Sequence, residues 1–168
     1  MVITSKTRYG LKALLDIVFH DRSGPVQRRH IAARQGIPTD YMDQILMRLR
    51  DAGLIQSLRG REGGYHLALE PYEISIWDVV LAVEDAPYLA QRIMKDPESD
   101  YASELLTEPA WKEVENTIEL SLRNKTLADC LNDAEERIAA AGLDAIVLSE
   151  SKPGPEFRLG QKIASRVG

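Results

Sequence analysis

Between Leu58 and Tyr65 the chain reads Leu-Arg-Gly-Arg-Glu-Gly-Gly-Tyr, a glycine- and arginine-rich turn that narrows what can be built on either side of it. The flanks, Leu54-Ile55-Gln56-Ser57-Leu58 and Tyr65-His66-Leu67-Ala68-Leu69, are short, apolar-rich and strand-like. Gly60 to Gly64 is therefore expected at the tip of a β-hairpin. Arginines at such a tip are free to enter a groove.

Three helical patterns precede the hairpin. Ser5 or Thr7 can cap a first helix running to about His20, with Leu11, Leu14, Leu15 and Val18 on one apolar stripe. A second helix, from about Arg28 to Gln35, buries Ile31 and Ala32, and Gly36 supplies the turn that lets Ile37 fold inward. After Pro38, Thr39 is a suitable cap for a third helix. There Met42, Ile45, Leu46 and Leu49 repeat at i, i+3, i+4 and i+7, which puts Asp40, Asp43, Gln44, Met47 and Arg48 on the outward side. Gly53 suits its C-terminal end. Helix, Gly turn, helix and hairpin together predict a mainly α fold with a small β-hairpin: a winged helix-turn-helix over residues 1–83, followed by a long C-terminal dimerisation helix.

Beyond Pro71 the pattern loosens. Ser75 to Val83 reads as a short helix with Ile76, Val79, Val80 and Val83 on one side and Trp77 available for an interdomain or dimer contact. Residues 84–108 read as a loop or broken helix, holding Pro87, Pro97 and the run Asp96-Pro97-Glu98-Ser99-Asp100. Pro109 fits the first turn of a longer helix to about Arg123, whose Trp111, Val114, Ile118 and Leu122 form an apolar seam that needs a partner. Thr126-Leu127-Ala128-Asp129 resembles a capping box opening a last helix to about Ala141, so residues 109–142 are assigned to dimerisation. Residues 143–168, with Pro153-Gly154-Pro155, read as a variable, flexible tail.

Charge divides along the same line. Residues 1–70 hold 11 Lys/Arg against 7 Asp/Glu, a net of +4; residues 71–168 hold 10 against 19, a net of −9, which gives the total of −5. Only the local field matters within a Debye length of about 8 Å, so a basic module can meet DNA while an acidic part stays away from phosphate. No apolar run approaches the roughly 20 residues that cross a bilayer, and Met-Val-Ile-Thr-Ser-Lys lacks the apolar core of a secretory signal. A cytoplasmic protein with no membrane partner is expected. The lone Cys130 excludes an intrachain disulfide and a zinc site built on several thiolates. No Ser/His/Asp order, phosphate-binding glycine loop or metal-ligand spacing points to an enzyme.

The order of short motifs is similar to that of the IscR-like family of bacterial winged-helix regulators. It runs through Thr4-Ser5-Lys6-Thr7-Arg8-Tyr9, Gly24-Pro25-Val26, Ile31-Ala32-Ala33-Arg34-Gln35-Gly36-Ile37, Tyr41-Met42-Asp43-Gln44, Arg48-Leu49-Arg50, Ala52-Gly53-Leu54, and Arg59-Gly60 to Gly63-Gly64-Tyr65. Asp78-Val79-Val80, Ala82-Val83-Glu84, Trp111 and Thr126-Leu127-Ala128-Asp129 add later support. The resemblance implies a homodimeric transcription factor, a repressor on a pseudo-palindromic operator of double-stranded DNA, with genes of iron–sulfur, iron or related metabolism as the expected targets.

In such a fold the third helix enters the major groove. Gln44 can pair bidentately with adenine, and Asp43 can accept from the cytosine amino group, whereas Asp40 is read as stabilising the helix N-terminus. The family tends to carry Ser and Glu where this chain has Asp40 and Asp43, so its preferred site is expected to differ. Thr39 and Arg48 complete the helix-three set. Arg59 is the main wing residue, able to insert into a narrow, electronegative minor groove, with Gly60 and Arg61 beside it. Ser5, Lys6, Arg8, Tyr9, Arg28 and Arg29 are candidate phosphate contacts; for Arg28 and Arg29 an exposed charged helix is an equal alternative.

Cluster-binding members of the family typically hold an iron–sulfur centre on three cysteines before the long helix. Here Glu84 to Glu108 contains neither Cys nor His, and Glu108 stands where the family carries a histidine ligand. A thiolate-rich cluster cannot be built there. Three readings stand for Cys130, which shares a face with Leu127, Leu131 and Ala134: a small buried hydrophobe first, a 2Fe–2S cluster with unusual ligation second, a redox thiol third. His20, His30 and His66 are scattered and read as surface or capping residues. The acidic C-terminal half is also a candidate docking surface for a regulatory protein partner such as a metabolic enzyme.

Overall fold

The computed structural model describes residues 4–21, 24–60, 63–85 and 101–140, the first six of the last stretch as backbone only. Six helices and one hairpin follow in the order α1 (Ser5–His20), α2 (Arg28–Gln35), α3 (Thr39–Asp51), β1 (Ile55–Leu58), β2 (Gly64–Leu67), α4 (Ile76–Val83), α5 (Tyr101–Arg123) and α6 (Leu127–Ala140). Arg61, most of segment 84–108 and the tail 143–168 lie outside the described residues.

α1 is capped one residue earlier than its hydroxyl pattern suggests. Thr4, not Ser5 or Thr7, takes the cap, and its side chain accepts from the Lys6 N–H. Thr7 is buried because it faces Glu84 instead: its hydroxyl donates to Glu84 Oε1 at 2.6 Å, and the Thr4 hydroxyl donates to the same atom at 2.8 Å. The buried stripe of α1 is Ala13, Leu14, Ile17 and Val18, with Leu11 and Leu15 only packed against its edge.

Gly36 closes α2 with φ +64, a left-handed turn that a β-carbon would strain, and Ile37 then drops into the core at 6% exposure. Thr39 is the first residue of α3 rather than its cap; the cap position is held by Pro38, whose ring cannot accept from the helix. Met42, Ile45, Leu46 and Leu49 are all buried, as their spacing requires. Burying one such side chain contributes roughly 1.5–3 kcal/mol, which outweighs the missing cap. α3 ends in paired backbone bonds, Gly53 N–H to Arg50 and Leu54 N–H to Leu49, both at 2.9 Å.

The hairpin pairs Ile55 with Leu67 and Leu58 with Gly64. Val26 extends it by one residue on the far side, exchanging two backbone hydrogen bonds with Tyr65 at 2.8 and 2.9 Å. This explains Gly64, where a β-carbon would lie 2.7 Å from the Val26 carbonyl oxygen.

α4 starts with a full capping box between Ser75 and Asp78. Its Ile76, Val79, Val80 and Val83 face inward, and so does Trp77, at 1% exposure with the Arg123 guanidinium over its ring. Of the interdomain or dimer contact expected of Trp77, the structure shows the interdomain one, beneath Arg123 of α5. α5 begins at Tyr101, so Pro109 sits inside the helix and residues 101–108 are helical instead of loop. Proline there removes one backbone donor without ending the helix. Thr126 and Asp129 form the second capping box, at 2.8 and 3.1 Å. The two boxes abut: Ile76 N–H donates to Lys125 and Leu127 N–H to Ile74, so backbone atoms clip the α5–α6 turn to the start of α4.

Candidate nucleic-acid interface

The helix-turn-helix owes its angle to one buried ion pair. Asp16, about one turn before the end of α1, accepts from Arg34 Nε at 2.9 Å and Nη2 at 2.6 Å, and from Gln35 Nε2 at 3.0 Å. The carboxylate is 1% exposed and the guanidinium 14%. Two parallel N–H donors on one carboxylate fix direction as well as distance, which locks the end of α2 onto α1. His20 adds a ring nitrogen 2.8 Å from the Asp16 carbonyl, the capping role expected of it.

With α2 fixed, α3 presents Asp40, Gln44 and Met47 to solvent, the last at 49% exposure. Asp43 is half-exposed and does not stand alone: its Oδ2 accepts from Arg28 Nη1, reaching across from the first residue of α2. The two residues, expected in separate roles, form one ion pair. Thr39 is exposed at the start of α3. Tyr9 is half-buried, packed edge-on against Tyr41 at 5.6 Å between ring centres, so α1 braces the first turns of α3.

Two acidic residues missed from the sequence organise the N-terminus of α1. Glu84 Oε1 receives the Thr4 and Thr7 hydroxyls and backbone N–H groups. Burial alone would raise its carboxyl, but the hydrogen bonds from Thr7 and Thr4 outweigh that and hold it below its ordinary value. Asp85 follows and joins two predicted DNA contacts. Lys6 Nζ pairs with its Oδ2 and Arg48 Nη2 with its Oδ1 at 2.7 Å, while Arg48 Nη1 donates to the Val83 carbonyl at 3.1 Å. Arg48 therefore points to the end of α4, not straight out from α3. Ser5 and Arg8 are exposed on the first turn of α1. The signal for Glu84 lay in the Ala82-Val83-Glu84 motif; nothing in the sequence singles out Asp85.

At the wing, Arg59 and Gly60 are exposed, and Gly60 turns the chain with φ +119 and open space around it. The Gly63 N–H donates to the Gly60 carbonyl at 3.0 Å, which closes the tip. Arg61 is outside the described residues.

The donors present do not fit a thiolate-held cluster. The chain has one cysteine, and Cys130 is half-buried against the core rather than fully buried. Burial pushes its thiol up, with Asp133 and Asp129 adding to the rise against Lys125. No three His, Cys, Asp or Glu residues lie together in a metal-holding group among the described residues. No described helix is long and apolar enough to cross a membrane.

Comparison with known proteins agrees with this architecture. The family model described as Rrf2, an iron-dependent transcriptional regulator, matches residues 3–133. The HTH-type transcriptional regulator IscR of Vibrio cholerae is 36% identical over 135 residues, 80% of this chain and 78% of its own. IscR of Serratia proteamaculans is 36% identical over 140 residues, 83% and 85% of the two chains. Among solved structures, T. potens IscR aligns with TM-score 0.65 and 36% identity over 82% of this chain and 90% of its own. CymR, the global cysteine regulator of B. subtilis, aligns with TM-score 0.62 and 28% identity over 77% and 95%. The chain thus belongs to the Rrf2 family and is a winged-helix, DNA-binding transcriptional regulator related to IscR.

Proposed function

We propose that the protein works as a homodimer on a pseudo-palindromic operator, with α3 in the major groove and Arg59 of the wing in the adjacent minor groove. The observation that carries this is the shared exposure of the α3 polar face and the Arg59 tip, on a core that fixes both. Gln44 and Asp43 read base edges, and Thr39 and Gly60 allow close approach of the backbone. Ser5 and Arg8 hold phosphates, and Tyr9 braces α3 beside them. Lys6 and Arg48 join them by exchange: a surface ion pair such as theirs with Asp85 contributes at most about 1 kcal/mol, so trading it for a phosphate costs little. Arg61 belongs to the same wing.

The second copy is placed on the open face of α5, where Trp111 and Val114, three residues apart on one side of the helix, are 45% and 46% exposed. Apolar side chains lined along one helix are characteristic of a subunit contact. Control through a cluster on Cys130 or through its thiol finds no support in a single, half-buried sulfur with a raised thiol.

The test is fluorescence anisotropy with duplexes selected by the protein from a random library. Arg59→Ala should weaken binding by about 1–3 kcal/mol, as loss of a good groove contact does. Unchanged affinity would remove the wing from the mechanism.

A further inference from the structure

α2 is an unusual place to begin with arginine. A cation on the first residue of a helix faces the positive end of its dipole, an unfavourable position unless something compensates. Here Asp43 compensates. Arg28 Nη1 crosses from α2 to Asp43 Oδ2 in the second turn of α3, with half of the guanidinium side chain and 38% of the carboxylate side chain exposed. Asp43 Oδ1 receives no hydrogen bond among the described residues.

An aspartate on a groove-reading helix has two difficulties. Its charge is repelled by phosphates, and its short side chain can turn away from the bases. The ion pair counters both: partly exposed, it offsets part of the charge and biases the carboxylate direction through one oxygen, leaving the other as an acceptor. In the major groove an acceptor of this kind complements the amino group of cytosine, while adenine offers its amino group only beside the N7 acceptor, which repels a carboxylate.

We infer that Arg28 is a specificity-determining positioning residue, which holds Asp43 so that its free oxygen selects cytosine at one base pair in each half-site. This rests on the reading of α3 as the groove helix. It differs from a phosphate-contact role for Arg28, because a phosphate contact weakens all sequences alike when removed.

The experiment is selection from a random duplex library by the wild-type protein and by Arg28→Ala, Arg28→Lys and Asp43→Asn, followed by anisotropy on single-base variants of the wild-type site. The wild type should prefer cytosine over other bases at one position by about tenfold. Asp43→Asn and Arg28→Ala should each reduce that preference to about twofold or less while leaving preferences elsewhere intact, and Arg28→Lys should restore most of it. The double variant Arg28→Ala/Asp43→Asn should lose no more at that position than either single change. A site selected by Arg28→Ala with the same preference as wild type, or a loss spread evenly over all sequences, would overturn the assignment. Failure of the wild type to select any sequence would instead overturn the groove reading of α3 on which it stands.

Discussion

The N-terminal body and the long helix α5 handle their apolar residues in opposite ways. In the body, α1 to α4 and the hairpin bury their stripes against one another, so that Leu14, Ile17, Ile31, Leu46 and Leu49 have essentially no exposure. In α5 the seam expected from its spacing is open, with Ile118 and Leu122 half-covered and Trp111 and Val114 bare for nearly half their surface. The same helical periodicity underlies both. What differs is whether the described residues supply the facing element, and that makes the body a closed unit and leaves α5 the open face on which a second copy is proposed to sit.

The largest effect should come from breaking the closed side. Asp16→Ala leaves the nearly buried Arg34 guanidinium without its carboxylate and should cost about 3–5 kcal/mol in urea unfolding; a loss below about 1 kcal/mol would mean that the pair does not hold α2 on α1. On the open side, Trp111→Ser with Val114→Ser should scarcely change the stability of the isolated protomer. Removing roughly 3 kcal/mol of covered apolar surface should raise the dimer dissociation constant about 100-fold, read by sedimentation equilibrium. If protomer stability fell instead, α5 would belong to the closed unit and the contrast would dissolve.

Where the two sides meet, Thr126→Ala removes one half of a capping box and should cost about 1 kcal/mol. The smallest effect is one of pH. Because the folded Glu84 carboxyl lies below its ordinary value near 4.5, its contribution is present above that value and is lost as pH falls through the folded pKa. Glu84→Gln should therefore reduce the drop in stability between neutral and strongly acid solution, measured by thermal unfolding at each pH.

Most of the closed side could be read from the sequence because local patterns decide it. The spacing of Met42, Ile45, Leu46 and Leu49, the turn at Gly36 and the glycine-rich tip each act within a few residues. What could not be read depends on residues far apart in the chain. Glu84 caps a helix that begins nearly eighty positions earlier, Asp85 gathers Lys6 and Arg48, and Arg28 finds Asp43 across a turn. No periodicity encodes such pairs. The start of α5 is hidden for another reason: proline favours a first helical turn, but its single missing donor is tolerated inside a helix of 23 residues. The wing could be located from its residues, while the ion pair between Arg28 and Asp43 could not.

The backbone clip between the start of α4 and the α5–α6 turn has a mechanical consequence. Trp111 lies 12 residues from Arg123, about 18 Å along the helix axis, so a tilt of about 10° at the clip displaces that side chain by about 3 Å, roughly one atomic diameter. The hydrogen bonds that resist such a tilt, at 2.8 and 2.9 Å, run between main-chain atoms of Ile74, Ile76, Lys125 and Leu127. The pivot is thus stiff without depending on particular side chains there, and the turn can drift in sequence while the angle between the N-terminal body and α5 is kept.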